Sequence, residues 1–246
     1  MIEQEAPLYL KIATRLEADI QAGRLKAGEK IDSERALAEE LGVSRMTARQ
    51  ALQHLTNRGL LETRVGQGTF VTHAIIEQKL STLTGFTEEM ARHGHKSSSI
   101  VVLAETRKAD SFALEALKLP ANSRVHRLVR VRLVDGEPVA IETTDISAAL
   151  APGLIDFADF SRDSLYGILR EHFGVIPTTG EQTMMAATAD AATARSLDVR
   201  EGSPVLKLTR LTFDGKQRPF EFVRSFYRGD SFVMKVDLNL GVFSNQ

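Results

Sequence analysis

Apolar residues near the N-terminus recur at the spacing of amphipathic helices. Leucine or isoleucine stands at positions 8, 12, 16 and 20, which predicts a helix over 7–22. Ser33 and Ser44 precede two shorter helical patterns, ERALAEEL and RMTARQALQHLTNR, with a turn at Gly42 between them. Two short strands, LLETRV and TFVTH, then flank a glycine-rich hairpin tip at 66–68. This close pair of helices, followed by a hairpin, is typical of a helix-turn-helix unit.

The pattern weakens over 74–84, which is interpreted as a linker. From residue 85 onward, helical and strand-like segments follow one another in an α+β pattern. Two explicit hairpins carry Asp-Gly turns at 135–136 and 214–215, and each has a Glu soon afterwards, which indicates an internal duplication. The sequence therefore predicts three parts: a helix-turn-helix domain over 1–73, the linker, and a larger mixed α/β domain over 85–246. Helices are expected over 86–93, 110–118, 163–173 and 190–197, and strands over 99–107, 124–134, 138–146, 178–188, 204–213, 219–228 and 232–238.

Composition narrows the class of protein. The chain has 246 residues, of which 43% are hydrophobic and 26% charged, the balance of an ordinary folded protein of two domains. No apolar run reaches the roughly 18 residues of a membrane span, and the N-terminus lacks the apolar core of a secretory signal. The absence of cysteine excludes disulfides, thiolate catalysis and Cys-ligated metals. A cytoplasmic protein without metal or cofactor is expected.

Positive charge is concentrated in one segment of an almost neutral chain. The formal net charge is −1, yet residues 41–71 hold four arginines and a single acid, Glu62. Arg45 and Arg49 lie on the exposed side of the second helix of the pair, where arginine can donate to guanine in the major groove. One alternative for either residue alone is a solvated surface arginine. The DNA-binding hypothesis also includes the caps Ser33 and Ser44, Arg35, Thr47, and the hairpin tip Gly66, Gln67 and Gly68.

Polar residues on strands of the second domain suggest a ligand site. Arg130 and Arg132 are two apart and so project from one face of a strand. Either an anion lies between them, or they are edge arginines paired with Glu142 across the hairpin; spacing alone favours neither. Ser164 and Tyr166 open a helix whose amides could hold an oxyanion, although an ordinary helix start is the simpler reading. Three residues could bind sugar hydroxyls or an amide, or be structural: Glu142, Glu221 and Tyr227.

The stretch from Pro7 to Val71 resembles, nearly end to end, the winged-helix domain of the GntR family of bacterial transcription regulators. The resemblance implies that the positions of Arg35, Arg45, Thr47, Arg49 and Gly68 contact operator DNA. One departure is Asp32, which stands where the family usually has Pro and adds a carboxylate near Arg35.

The segments GEPVAIETT, DSLYGIL and EFVRSFYRGD are similar to the effector-binding domain of the HutC subfamily, a fold related to chorismate lyase, and most of all to that of N-acetylglucosamine-utilisation repressors. This resemblance implies a UTRA-type domain that binds an effector and dimerises. It assigns a ligand phosphate to Phe86, Thr87, Arg130, Arg132, Ser164 and Tyr166, and the sugar to Glu142, Glu221 and Tyr227.

The resulting hypothesis is a homodimeric repressor that binds a pseudo-palindromic operator and is released by an amino-sugar phosphate, glucosamine-6-phosphate or N-acetylglucosamine-6-phosphate. A regulator that senses another acidic metabolite is the nearest alternative. An enzyme of the related lyase fold is less favoured, because neither a nucleophile–base pair nor metal-ligand spacing is present. An architectural DNA binder would need a broader cationic surface.

Overall fold

A computed structural model of the chain describes residues 6–72, 76–79 and 82–237. It divides into two compact units, Met1–Ile75 and Ile76–Gln246. Some residues within the predicted boundaries, 1–5, 73–75, 80–81 and 238–246, lie outside the described part. The first unit contains α1 (Leu8–Gln21), α2 (Glu34–Leu41), α3 (Arg45–Asn57), β1 (Leu61–Arg64) and β2 (Gly68–Val71).

Local signals explain the tight connection between α2 and α3. The Ser33 hydroxyl accepts a hydrogen bond from the Ala36 amide at 3.2 Å, so α2 begins where the sequence predicts. Gly42 ends α2 in the left-handed conformation, with φ of 64°, and Ser44 caps α3. One face of α3 is buried in the core of this unit and the other is left exposed; the buried residues are Ala48, Ala51, Leu52 and Leu55.

The second unit contains five helices and eight strands among its described residues. They are β3 (Ile76–Lys79), α4 (Phe86–Arg92), β4 (Ser97–Lys108), α5 (Ser111–Ala116), β5 (Arg124–Val134), β6 (Glu137–Ser147), α6 (Leu154–Phe157), α7 (Leu165–Phe173), β7 (Pro177–Thr188), α8 (Ala191–Leu197), β8 (Pro204–Asp214), β9 (Pro219–Arg228) and β10 (Phe232–Lys235).

The linker interpretation of 74–84 is wrong for the segment that forms β3. This strand pairs in parallel with β10, and Ile76 lies opposite Phe232. Both side chains are buried with Met90 and Tyr227 in one apolar cluster. A four-residue strand has too short a pattern to recognise, and its partner lies near the far end of the chain, so sequence periodicity does not reveal it.

Six strands form one antiparallel sheet in the order β4-β5-β6-β9-β8-β7. The order is that of two equivalent halves, β4-α5-β5-β6 and β7-α8-β8-β9, which meet at β6 and β9. Asp110 caps α5 and Asp190 caps α8 in the same way, each accepting from a backbone amide three residues on. The structure thus shows the two-half arrangement that the paired hairpins suggest.

Helices cover both faces of this sheet. On one face, α7 packs Leu165, Tyr166 and Leu169 against Leu128 of β5 and Ile146 of β6. On the opposite face lie α5 and α8, which pack against Phe222 and Phe226 of β9. Polar side chains on the first face are therefore enclosed between the sheet and α7.

The two capping aspartates provide a matched pair of stability variants. Asp110 also binds Arg127, whose guanidinium donates to it at 2.7 Å, whereas Asp190 caps its helix and forms no ion pair among the described residues. We expect Asp110→Ala to lower the free energy of unfolding by about 2 kcal/mol, because it removes a cap and one of two carboxylates from Arg127. Asp190→Ala should lower the free energy of unfolding by a smaller amount. Urea unfolding of the two variants checks this, and equal losses would contradict it.

Candidate functional site

A small pocket lies on the sheet face that α7 covers. Its walls come from β5, β6, β8 and β9 below and from the starts of α4 and α7 above. Eleven residues line it: Gly85, Phe86, Thr87, Arg130, Arg132, Glu142, Ser164, Leu165, Tyr166, Arg210 and Glu221. Eight of the nine residues predicted to bind an effector are among them.

Strand register explains why these distant residues meet. Arg130 lies directly opposite Glu142 on the neighbouring strand, so both side chains project from the same face. Glu221 lies opposite Ile146 of β6 on one side and Thr212 of β8 on the other, and it therefore joins the same face. Glu221 does not repeat the position of Glu142 in the second half. Glu142 lies opposite Arg130, whereas Arg210 of the second half lies opposite Val223.

Arg130 and Glu142 form a buried ion pair with an N–O distance of 2.6 Å. Burial by itself would raise the pKa of Glu142, but the charges of Arg130, Arg132 and Arg210 outweigh it and hold that pKa at about 2. Glu142 is therefore ionised at neutral pH and serves as a hydrogen-bond acceptor. One of the two alternatives predicted from the sequence, an ion pair with Glu142, is therefore present for Arg130. The pair is buried and does not lie at an edge of the sheet.

Arg132 has a different environment from Arg130. Its side chain donates to the Thr87 hydroxyl at 3.3 Å and lies 4.3 Å above the Phe86 ring, and no carboxylate in the described structure forms an ion pair with it. Its Nε is buried without a hydrogen-bond partner. Burial and the nearby charge of Arg130 lower the pKa of Arg132 to about 10. A buried guanidinium that forms no close ion pair among the described residues can pair with an anion that enters the pocket.

A second hydrogen-bonded group surrounds Glu221 at the start of α7. The Tyr166 hydroxyl donates to Glu221 at 2.7 Å, and the Thr212 hydroxyl donates to the same oxygen at 2.6 Å. Burial and the charge of Glu221 raise the pKa of Tyr166, so this phenol stays protonated. Ser164 caps α7 by accepting from the Gly167 amide, which leaves its hydroxyl proton free to donate to a ligand.

Arg210 lines the pocket but sequence reasoning does not single it out. Its Nε is also buried without a hydrogen-bond partner, and the negative charges of Glu221 and Glu142 raise its pKa despite the cost of burial. The internal duplication contains the missing signal: Arg210 repeats Arg130 at the same separation that relates Asp190 to Asp110. Searching the second half for the equivalent of Arg130 would have found it.

Tyr227 is the predicted effector residue that does not line the pocket. It lies on the same sheet face, opposite Ala140, but its ring packs on Phe232 with centroids 4.6 Å apart. Burial and the charge of Glu142 raise the pKa of Tyr227 to about 12. The structure thus places this residue between the pocket and the β3–β10 pair.

The Arg130–Glu142 pair gives a sharp prediction about stability. We expect Glu142→Gln to lower the free energy of unfolding by about 3–5 kcal/mol and the melting temperature by roughly 10 °C, because Arg130 keeps a buried charge without its partner. In the wild type this contribution is lost only as pH falls from the usual range of a glutamate towards about 2. Thermal unfolding measures both effects. Glu181→Gln, on the exposed edge strand β7, is the control, and a similar loss there would contradict the prediction.

The exposed face of α3 carries the predicted DNA-reading arginines. The side chains of Arg45 and Arg49 are 72% and 64% exposed. Their Nε atoms lie 3.1 Å and 3.9 Å from the two carboxylate oxygens of Glu34, which holds both guanidinium groups on the same side of the helix. Thr47 lies between them, but its hydroxyl shares a hydrogen bond with Ser44 at 2.8 Å.

Arg35 and the hairpin tip complete this surface. Arg35 is 81% exposed, and the carboxylate nearest to it is that of Glu39 on the next turn, at 3.8 Å, rather than that of Asp32. At the tip, the amide of Gln67 donates to the Arg64 carbonyl, and Gly66 and Gly68 have φ of 73° and 119°. Both values favour glycine, so these residues suit a tight turn at the tip.

The described residues contain no group of three or more His, Cys, Asp or Glu side chains arranged to hold a metal ion. None of the helices they form is both long and apolar enough to cross a membrane.

Comparison with known proteins gives the same two-part architecture. Residues 8–71 match the description "Bacterial regulatory proteins, gntR family", and residues 92–233 match "UTRA domain". The HTH-type transcriptional repressor NagR of Bacillus subtilis is 34% identical over 227 residues, which are 92% of this chain and 93% of that protein. The histidine utilization repressor of Pseudomonas putida is 34% identical over 88% of this chain and 86% of its own length.

A solved structure agrees over nearly the whole length. PhnF from Mycobacterium smegmatis superposes with a TM-score of 0.70 at 29% identity and covers 96% of this chain and 100% of its own. The α+β fold class expected from the sequence, a helix-turn-helix domain followed by an effector domain, is confirmed.

Proposed function

Because this chain belongs to the gntR family of bacterial regulatory proteins and carries a UTRA domain, we propose that it represses transcription until a phosphorylated amino sugar binds its second unit. Its relatives over nearly their full length are transcriptional repressors, so the chain is a regulator rather than an enzyme. The relatives differ in what they regulate, since one is a histidine utilization repressor. The choice of effector therefore rests on the chemistry of the pocket.

The observation that carries the proposal is the open guanidinium of Arg132. A phosphate placed beside Arg132 and Ser164 would accept hydrogen bonds from a guanidinium that forms no ion pair among the described residues and from a hydroxyl. Glu142 and Glu221 offer acceptors for the hydroxyl or amino groups of a sugar at the other end.

Packing supplies a route from the pocket to the start of the second unit. Phe86 and Thr87 contact Arg132, and the same helix carries Met90, which is buried beside Ile76 of β3. Ile76 is the first residue after the DNA-binding unit. A ligand that draws α4 towards its phosphate would therefore shift the strand to which the DNA-binding unit is joined.

A dimer follows from the way such proteins read DNA. Two recognition helices related by a two-fold axis require an operator with the same symmetry, so we propose a homodimer on a pseudo-palindromic site. A protein that binds the chromosome acts where the chromosome lies, and we place it in the cytoplasm.

A thermal-shift screen followed by DNA binding tests the proposal. The melting temperature should rise with glucosamine-6-phosphate or N-acetylglucosamine-6-phosphate and not with the unphosphorylated sugars. Coupling is reciprocal, so operator DNA should weaken effector binding by the factor by which effector weakens DNA binding. If only a different acid raised the melting temperature, that acid would replace the amino-sugar phosphate as the proposed effector. Equal effector affinity with and without operator would overturn the release mechanism.

A further inference from the structure

The space above the backbone of Gly68 is occupied by Lys30. A methyl group placed on Gly68 would lie 2.7 Å from Lys30 Cε and 3.4 Å from its Nζ. The aliphatic part of the lysine therefore crosses the hairpin tip at the position where glycine has no side chain. The glycine makes room for this lysine and leaves its ammonium group beside the hairpin tip.

The backbone around Lys30 is fixed to the hairpin. Lys30 forms an antiparallel bridge with Phe70 of β2. The Ile31 amide donates to the Thr69 carbonyl at 2.8 Å, and the Val71 amide donates to the Glu29 carbonyl at 2.9 Å. The segment before α2 thus adds a third, short extended piece to the hairpin, and the lysine is presented from an ordered backbone.

A second cation lies on the same face. Residues paired across antiparallel strands project to one side, so Lys30 and Phe70 share a face with Gly68 and with its partner Arg64 on β1. The Arg64 guanidinium stacks 4.4 Å from the centre of the Phe70 ring and also binds Glu62. Lys30, in contrast, is exposed and forms no ion pair among the described residues.

We propose that Lys30 binds a phosphate of the DNA backbone beside the hairpin, a contact separate from those of α3. A lysine ammonium suits this task, since it is a compact point charge with three donors and needs no fixed plane. Its stem is already ordered against Gly68, which reduces the entropy lost when a phosphate binds. The contact adds affinity for any duplex and no preference among base sequences.

Salt dependence tests the contact directly, because each phosphate neutralised adds about 0.9 to the slope of log K against log salt concentration. The probe is a mixed-sequence DNA duplex, with binding followed by fluorescence anisotropy. Lys30→Met keeps the aliphatic stem and removes the charge; we expect the slope to fall by about 0.9 and the affinity to fall roughly three- to tenfold at low salt. Lys30→Arg should restore most of the slope.

Lys26→Met is the matched control, because Lys26 is exposed in the same loop and does not lie on the hairpin. An unchanged slope in Lys26→Met together with a reduced slope in Lys30→Met supports the contact. Equal reductions in both variants would show only general attraction and would overturn it. A lower melting temperature of Lys30→Met with an unchanged slope would assign the lysine to packing alone, and would also overturn it. The wild-type protein, titrated in parallel, tests DNA binding itself.

Discussion

Arg132→Met is expected to weaken binding of the proposed phosphorylated sugar at least about 30-fold, because it removes the buried charge that would pair with the phosphate and that forms no ion pair among the described residues. The neutral side chain keeps the unbranched stem and can still pack against the Phe86 ring. Isothermal titration with glucosamine-6-phosphate measures the loss. Release of operator DNA should require a correspondingly higher effector concentration.

The same substitution should stabilise the protein without ligand. Burial and repulsion from Arg130 disfavour the charge of Arg132, so its pKa falls to about 10 in the folded state. The cost of this charge is present at neutral pH and is relieved only as pH rises through about 10. We therefore expect the melting temperature of unliganded Arg132→Met to rise while the shift produced by ligand disappears. If Arg132 had only a structural role, its substitution would instead lower the melting temperature of the unliganded protein.

Arg195→Met is the control for both measurements. Arg195 lies exposed on α8, which packs on the sheet face opposite the pocket. It should leave effector affinity and stability nearly unchanged. Retention of wild-type affinity in Arg132→Met would remove Arg132 from the effector site and with it the main support for a phosphorylated ligand.

Arg49→Ala and Arg45→Ala are expected to reduce operator affinity by about 5- to 150-fold each, the range for loss of a bidentate contact to guanine. The operator would first be selected from a random duplex pool with the wild-type protein. Affinity for a mixed-sequence duplex should fall much less, because phosphate attraction supplies that binding. The ratio of the two affinities therefore isolates base reading from general attraction.

Arg15→Ala controls for the loss of one charge in the same unit. Arg15 lies on α1 with 62% of its side chain exposed and pairs loosely with Glu40 at 3.9 Å. It should lower both affinities slightly and equally. Since Glu34 approaches both arginines, Glu34→Ala should weaken operator binding less than either arginine variant, by loosening their position. Equal losses on operator and mixed-sequence DNA in Arg49→Ala would show that this residue contacts phosphate only.

Local chemistry determined those parts of the molecule that the sequence reveals by itself. The caps at Ser33 and Ser44 and the left-handed Gly42 define the helix-turn-helix, because each acts within a few residues along the chain. The Asp135-Gly136 turn likewise sets its hairpin, since both residues have positive φ. The alternation along β5 places Arg130 and Arg132 on one face wherever the strand lies.

Only the tertiary structure decided which of these groups meet. The two arginines look alike in sequence, yet the register between β5 and β6 places Arg130 opposite Glu142 and Arg132 opposite Ala140, so that only Arg130 of the two forms an ion pair among the described residues. Arg210 reaches the pocket only because β8 and β9 join the sheet beside β6, and Lys30 reaches Gly68 only through its bridge to Phe70. Periodicity reports which face a residue takes within its own element. The partner it meets depends on pairings between distant segments, which burial and strand register select together.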